Sequence, residues 1–369
     1  MQFVSYYPRA VSDASGVTEA LWAWAAALSD AGHEVRVLHA GGTRRSPDSR
    51  HVRAAITDEA IEHRGRGRTS HRPVGFGRHL RPGEVLVLHE GWVLSNVVAA
   101  RAARRAGIPY VVTPHGVYEP GIMRHLKQPR QLRLVAERWV LERATAIHLF
   151  FASEIPLIQA VAPRAGTPLI APIGFDVGEA TWSGGGGYLA WIGRYDPDHK
   201  GLDVLLDAIA TLAPDERPTV ELRGPDFNGG YGRTLARIER LGLGPWVHAE
   251  GPVGGTDKAA FLARSDGYLM PSRWEGYGIA LVENLAIGAP CLVSDAIHIA
   301  APIADASAAI LAPPTAAGLA DGIQRLSAAD AADLGPRGRE FVREVFDWPT
   351  VVGAFVDGLE WAIGSGRGG

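Results

Sequence analysis

Pro271-Ser272-Arg273-Trp274-Glu275-Gly276-Tyr277-Gly278-Ile279-Ala280-Leu281-Val282-Glu283 follows a short apolar run, residues 267–270. The run reads as a buried strand. The stretch after it carries a carboxylate, two glycines around an aromatic, and apolar residues at helical spacing. Strand, glycine loop and helix in that order form the repeating unit of a doubly wound α/β sheet. Gly276 and Gly278 let the backbone come close to a ligand. Free N–H groups from Gly278 through Ile279 to Ala280 would face that ligand, and a helix start of this kind attracts anions. Glu275 at its mouth repels phosphate but suits sugar hydroxyls, and Glu283, about two turns along, can accept from a vicinal pair such as a ribose. A plainer reading stands beside this one, in which Glu275 caps the helix and Glu283 faces water.

Working outward, Trp191-Ile192-Gly193-Arg194-Tyr195-Asp196-Pro197-Asp198-His199-Lys200-Gly201 repeats the pattern. A strand ends at a glycine, and two cations follow before the next helix. Arg194 offers a fork for phosphate oxygens and Lys200 a compact charge, so together they can neutralise a diphosphate. The alternative is a solvated loop with an Asp–Arg pair. Asp196-Pro197-Asp198 has the form of a metal-holding Asp-x-Asp. With Arg194 and Lys200 already in the loop a metal is superfluous, and none is expected.

The alternation runs along the whole chain. In the first half strands are expected at 3–7, 34–39, 84–89, 110–113, 146–150 and 168–173, with helices at 17–31, 93–106 and 130–144. In the second half strands are expected at 188–192, 219–223, 247–251, 267–270 and 291–294. Helices are expected there at 202–212, 232–241, 257–263 and 280–287, with a last one at 348–363. Strands separated by helices imply parallel sheets covered on both faces. Ser183-Gly184-Gly185-Gly186-Gly187 breaks the composition and reads as a hinge. The expected architecture is therefore two Rossmann-like, doubly wound parallel-sheet domains facing each other across a cleft. Ligands in such sheets sit beyond the carboxyl ends of the strands.

The bulk numbers fit. The 369 residues suit two domains, and the 46% of hydrophobic residues can fill two cores. A formal net charge of -3 supplies no global field for nucleic acid, so no nucleic-acid partner is expected, while a local basic patch stays open. The single cysteine, Cys291, lies at the entry to an apolar strand and reads as packing. The lack of disulfide partners suits a reducing cytoplasm, and that localisation is expected. Residues 1–6 read as a strand, without the charged-then-apolar layout of a leader. No apolar run is long enough to cross a bilayer. No Gly-x-Gly-x-x-Gly run sits between a strand and a helix, which argues against a nicotinamide-dependent oxidoreductase, and no P-loop occurs.

Gly193-Arg194…Lys200-Gly201 and Pro271-Ser272…Glu275-Gly276-Tyr277-Gly278…Glu283 together resemble the retaining GT-B glycosyltransferases of family 4, glycosyltransferase group 1. The second segment matches the family's Glu-x7-Glu motif. The likeness extends to Gly16, Thr113-Pro114-His115-Gly116 and Ile173-Gly174-Phe175-Asp176. It implies a nucleoside-diphosphate sugar as donor, with no cofactor. Glu283 would hold the ribose, and Arg194 and Lys200 the diphosphate. Glu275 and the backbone after it, from Gly276 through Tyr277, Gly278 and Ile279 to Ala280, would hold the donor sugar. Gly16 would let its loop approach the phosphates, and His115 would line the reaction centre. His115, Arg194, Lys200 and Glu275 are thus the expected catalytic residues.

The implied domains are an acceptor-binding 1–176, a linker 177–187 and a donor-binding 188–345. A last helix within 346–369 would cross back onto the first domain. The acceptor is a hydroxyl on a polysaccharide, a lipid-linked sugar or a small molecule. A non-catalytic nucleotide or sugar binder on the same fold is the alternative.

Two features stand apart. After Ser294-Asp295 the family pattern of a Gly-rich turn and a Glu gives way to Ala296-Ile297-His298-Ile299-Ala300-Ala301-Pro302. There His298 either replaces a lost polar contact or is structural. Residues 123–143 mix Arg124, His125, Lys127, Arg130, Arg133, Arg138 and Arg143 with apolar side chains, as an ordinary amphipathic helix does. Weak peripheral contact with an anionic membrane is the second reading of that helix. The arginine-rich stretch 44–81 reads as an excursion without regular structure that shapes acceptor entry.

Overall fold

The computed structural model describes residues 1–11, 16–42, 55–124, 130–327 and 333–365. The loop 12–15, Arg44, Arg45, Arg50, Arg53, His125 and Lys127 lie outside them, as do the side chains of Arg68 and Arg130. The chain divides into two compact units, one of residues 1–174 with 348–369, the other of residues 175–347.

The first unit carries β1 (Gln2–Tyr7), β2 (Glu34–His39), β3 (Thr57–Ala60), β4 (His63–Arg64), β5 (Arg72–Pro73), β6 (Glu84–His89), β7 (Tyr110–Thr113), β8 (Ala146–Leu149) and β9 (Thr167–Ile170). Seven of these form one sheet in the order β3-β2-β1-β6-β7-β8-β9, every pair parallel. β6 is buried at all six positions, as its unbroken Val85-Leu86-Val87-Leu88 requires of a strand covered on both faces. Helix Gly16–Asp30 buries every residue from Ala20 to Leu28, including Trp22 and Trp24. Helix Trp348–Ser365 packs in this unit, with Phe355 against Phe3, Trp24 and His148. A Cβ on Gly174 would lie 2.2 Å from the Trp348 ring, so the glycine makes room for the indole.

The second unit carries β10 (Leu189–Ile192), β11 (Val220–Arg223), β12 (Val247–Glu250), β13 (Gly267–Met270), β14 (Cys291–Ser294) and β15 (Ile310–Ala312). Their order is β12-β11-β10-β13-β14-β15, again all parallel. In both sheets the order reverses beside the first strand, between β1 and β6 and between β10 and β13. Each reversal opens a crevice at the carboxyl ends of two neighbouring strands.

The structure departs from the sequence reading in four respects. The glycine run is no free tether. The Gly184 and Gly186 amides donate to the Ala263 and Arg264 carbonyls (3.1 and 2.8 Å), Gly185 N–H to Asp266 (2.7 Å), and the Trp182 indole to Ser265 O (2.5 Å). Residues read as a linker are thus bound to the second unit, and the division falls at 174/175 instead of inside the run. The stretch read as an irregular excursion contains β3, the antiparallel β4–β5 ribbon and a short 3-10 helix, Phe76–His79. β3 is exposed along its length, so no apolar alternation announced it, and its pairing with β2 makes it a strand. Strand β15 and helices Ala300–Ala306, Ala316–Ser327 and Leu334–Val345 were also missed. The C-terminal ends of several elements differ by two or three residues, where helix fraying and loop hydrogen bonds decide.

Candidate active site

The loops after β10 and β13 flank the reversal of the second sheet, and the structure stitches them together. Gly201, at φ 66°, sits against the Pro271 carbonyl, where a Cβ would come within 1.9 Å of the oxygen. Arg273 N–H donates to His199 O (3.0 Å), and its guanidinium clamps Asp203 through both oxygens (2.8 and 2.7 Å). The His199 ring lies flat on Trp274, centroids 4.8 Å apart, and donates from Nε2 to the Trp274 carbonyl (2.9 Å).

That stitching brings Lys200 to Glu275. The ammonium donates to Oε1 at 2.6 Å, and the Ser272 hydroxyl donates to the same oxygen at 2.6 Å. Both charged groups are largely buried. Burial alone would raise the Glu275 carboxyl. The Lys200 ammonium and His199, with the hydrogen bonds from Lys200 and Ser272, outweigh it and hold the carboxyl below its ordinary value. Burial, then the Lys200 charge, holds His199 below the usual histidine range, so its ring is neutral at pH 7. The Arg194 charge adds to that lowering. Arg194 is exposed, with its guanidinium 4.4 Å from the centre of the Phe227 ring.

Helix Ile279–Ile287 starts immediately beyond. Gly278, at φ 87°, precedes it, and no side chain caps it. Among the described residues the Ile279 and Ala280 N–H groups have no hydrogen-bond partner. They are orphan donors at the positive end of the helix dipole. Tyr277 is buried edge-on to Phe346, which anchors the glycine turn from behind. Glu283, half-buried, accepts from Lys258 through both oxygens, at 2.7 and 2.6 Å.

Arg194, Lys200, Glu275 and the Gly276–Gly278 turn therefore stand at one end of one sheet. Lys200 and Glu275, read from sequence as a phosphate group and a sugar group, form a single ion pair. The Ser272 hydrogen bond to Glu275, the parts played by Lys258 and Phe227, and the packing of His199 on Trp274 come only from the structure. Lys258 lies on helix Gly255–Arg264, where its spacing gave no hint of Glu283. Asp196 accepts from His199 N–H at the start of the short helix Pro197–Lys200, and Asp198 lies 3.7 Å from Arg273. Among the described residues no three His, Cys, Asp or Glu side chains cluster as a metal site would need. In the loop that departs from the family pattern, Ile297 and Ile299 turn inward and His298 is half-buried.

His115 and Gly16 belong to the first unit. Gly16 is exposed and opens helix Gly16–Asp30. His115 follows β7 at φ 56°. Five non-glycine residues among those described have positive φ, and Glu90, Trp92 and His115 cluster after β6 and β7. Each such conformation costs about 1–3 kcal/mol and persists where the surroundings enforce it, commonly at functional sites. Burial, then the neighbouring His89 and His148, holds His115 well below the usual histidine range. Arg9 donates to the buried Glu90 at 2.9 Å.

Two family models match the chain in sequence order. One, described as a glycosyl transferase 4-like domain, spans residues 15–170. The other, glycosyl transferases group 1, spans residues 186–329. The D-inositol 3-phosphate glycosyltransferase of Jonesia denitrificans is 26% identical over 343 residues, which are 82% of this chain and 80% of that protein. The phosphatidyl-myo-inositol mannosyltransferase of Mycobacterium leprae is 30% identical over 63% of this chain, which spans 58% of that protein. Among solved structures, Anabaena Alr3699/HepE in complex with UDP-glucose superposes with a TM-score of 0.76 at 19% identity, over 98% of this chain and 99% of that one. That likeness shows the fold. With both halves matched in order, and the strand reversals of both sheets in place, the chain belongs to the group 1 (family 4) glycosyltransferases, has their GT-B fold, and is a sugar-transferring enzyme.

Proposed function

We propose that this glycosyltransferase takes a sugar from a nucleoside-diphosphate sugar and passes it, with retention at the anomeric carbon, to a hydroxyl acceptor. The observation that carries this reading is the Lys200–Glu275 pair beside an uncapped helix start. An ammonium has three donors, and Glu275 takes one. The others remain for a diphosphate, while the second Glu275 oxygen remains for a sugar hydroxyl. Arg194 and the Ile279 and Ala280 N–H groups add donors for the same anion.

As the anomeric C–O bond breaks, its electron pair goes to the diphosphate and the sugar becomes oxocarbenium-like. Arg194, Lys200 and the helix start stabilise the charge on the leaving oxygen. The acceptor hydroxyl attacks the same face, and the leaving phosphate oxygen takes its proton. Glu283, paired with Lys258 through both oxygens, reads the ribose; Gly16 and His115 take the donor-side roles that the family motifs imply. No metal is assigned, because cationic side chains already face the diphosphate and Asp196 and Asp198 have partners of their own. The UDP-glucose held by the Anabaena structure supports a nucleotide-sugar donor here.

A donor-hydrolysis assay tests the reading. The wild type releases free nucleoside diphosphate from its donor, and Lys200→Ala or Arg194→Ala lowers that release by roughly 100-fold or more while the fold survives. Binding without any release by the wild type would favour the non-catalytic binder.

Among the described residues no helix is long and apolar enough to cross a membrane. We infer that helix Arg130–Leu141 touches an anionic membrane surface weakly. Leu132 and Val135 are 72% and 68% exposed beside the exposed Arg138. Glu137 is buried on Tyr118, and Glu142 is bound to Arg138, so neither opposes anionic lipid.

A further inference from the structure

The histidines behind the β6 and β7 loops define the hydrogen that His115 presents. His148 Nε2 lies 2.8 Å from the Ala171 carbonyl, which can only accept, so the proton sits on Nε2. Its bare Nδ1 then accepts from the Thr113 hydroxyl at 3.2 Å. His89 Nδ1 lies 2.8 Å from His115 Nε2. The two ring planes are within 22° of each other with centroids 5.1 Å apart. Nitrogens that close with centroids that far apart mean that the rings meet edge to edge, in the plane of a hydrogen bond. Burial keeps both rings neutral at pH 7. A single proton therefore lies between them.

Two arrangements are available. If His115 donated from Nε2, His89 would carry its proton on Nε2, a buried atom with no partner among the described residues. Buried N–H groups without an acceptor are rarer than buried acceptors without a donor. If His89 donates from Nδ1, only a lone pair is left bare at that atom, and His115 carries its own proton on Nδ1. Among the described residues Nδ1 of His115 has no partner, and the residue is half-buried, not enclosed. We propose that His89 is a positioning residue that locks His115 as the Nδ1–H tautomer, so that His115 serves the reaction as a hydrogen-bond donor to a substrate oxygen and not as a base. This rests on the placement of His115 at the reaction centre, and it fits a mechanism in which the leaving phosphate takes the acceptor's proton.

The test is a two-bond 1H–15N correlation spectrum of the full-length protein with 15N-labelled histidine, near neutral pH, without substrate. His115→Gln and His89→Asn assign the two rings. His115 and His89 are each expected protonated on Nδ1 and bare on Nε2; His115 protonated on Nε2 overturns the proposal. His89→Leu should mix the two His115 tautomers and lower kcat roughly tenfold with little change in the donor's KM. His89→Asn, whose amide N–H overlays Nδ1, should restore both the single tautomer and the rate. If His89→Leu leaves His115 in one tautomer, the lock is refuted even if the variant is slow. If the tautomer is as proposed but His115→Ala turns over at the wild-type rate, the placement of His115 fails and the tautomer assignment stands.

Discussion

At the scale of single residues, charge pairing is the main surprise. Lys258 clamps Glu283 through both carboxylate oxygens, so the group proposed for the ribose is held in one orientation. An orienting partner matters because a carboxylate that must be immobilised on binding costs affinity. Lys258→Ala is therefore expected to weaken nucleoside diphosphate binding about tenfold, and Glu283→Gln by at least as much. Calorimetric titration with UDP, GDP, ADP and dTDP reads the effect and identifies the base. Wild-type affinity in both variants would remove the pair from the nucleotide site.

The elements show how little freedom the site has. The loop after β10 can lie on the loop after β13 only because Gly201 has no Cβ to meet the Pro271 carbonyl. Gly201→Ala adds that clash to a left-handed conformation costing about 1–2 kcal/mol. It should lower the melting temperature by several degrees and, by moving Lys200 off Glu275, abolish most turnover. Full activity with an unchanged melting temperature would mean that the two loops are not mutually dependent. Helix Arg130–Leu141 makes a separate prediction. Sedimentation with anionic vesicles should fall for the Leu132→Ser, Val135→Ser double variant, with turnover on soluble substrates unchanged. Equal sedimentation would leave the helix a solvated one. The family motifs were legible at this scale because each lies within one strand–loop–helix unit. The β3 strand and the β4–β5 ribbon were not, since polar residues form strands there only through their partners.

For the whole molecule the buried histidines set the response to acid. Burial lowers His89 to about 3 and His148 to about 4, against an ordinary value of 6.5. Between those values the unfolded chain binds protons that the folded chain refuses. Stability is complete above about pH 6.5 and declines as the pH falls through that window. Glu275 acts in the same direction, since its lowered carboxyl loses its contribution as acid protonates it. The melting temperature should fall steadily between about pH 7 and about pH 4.5. A flat profile in scanning calorimetry over that range would show that these rings are not buried and neutral.

The amino-acid sequence by itself determined the alternation of strands and helices, the two doubly wound units, and the glycines and charges at the loops after β10 and β13. Those features follow from spacing within a few residues, where apolar periodicity and turn chemistry act locally. Only the tertiary structure decided that Lys200 meets Glu275, that Lys258 meets Glu283, and that His89 faces His115. It also decided that the glycine run lies against residues 263–266. Each of those contacts joins residues 25 or more positions apart, and sheet order, which brings β13 beside β10 and β7 beside β6, puts most of them within reach.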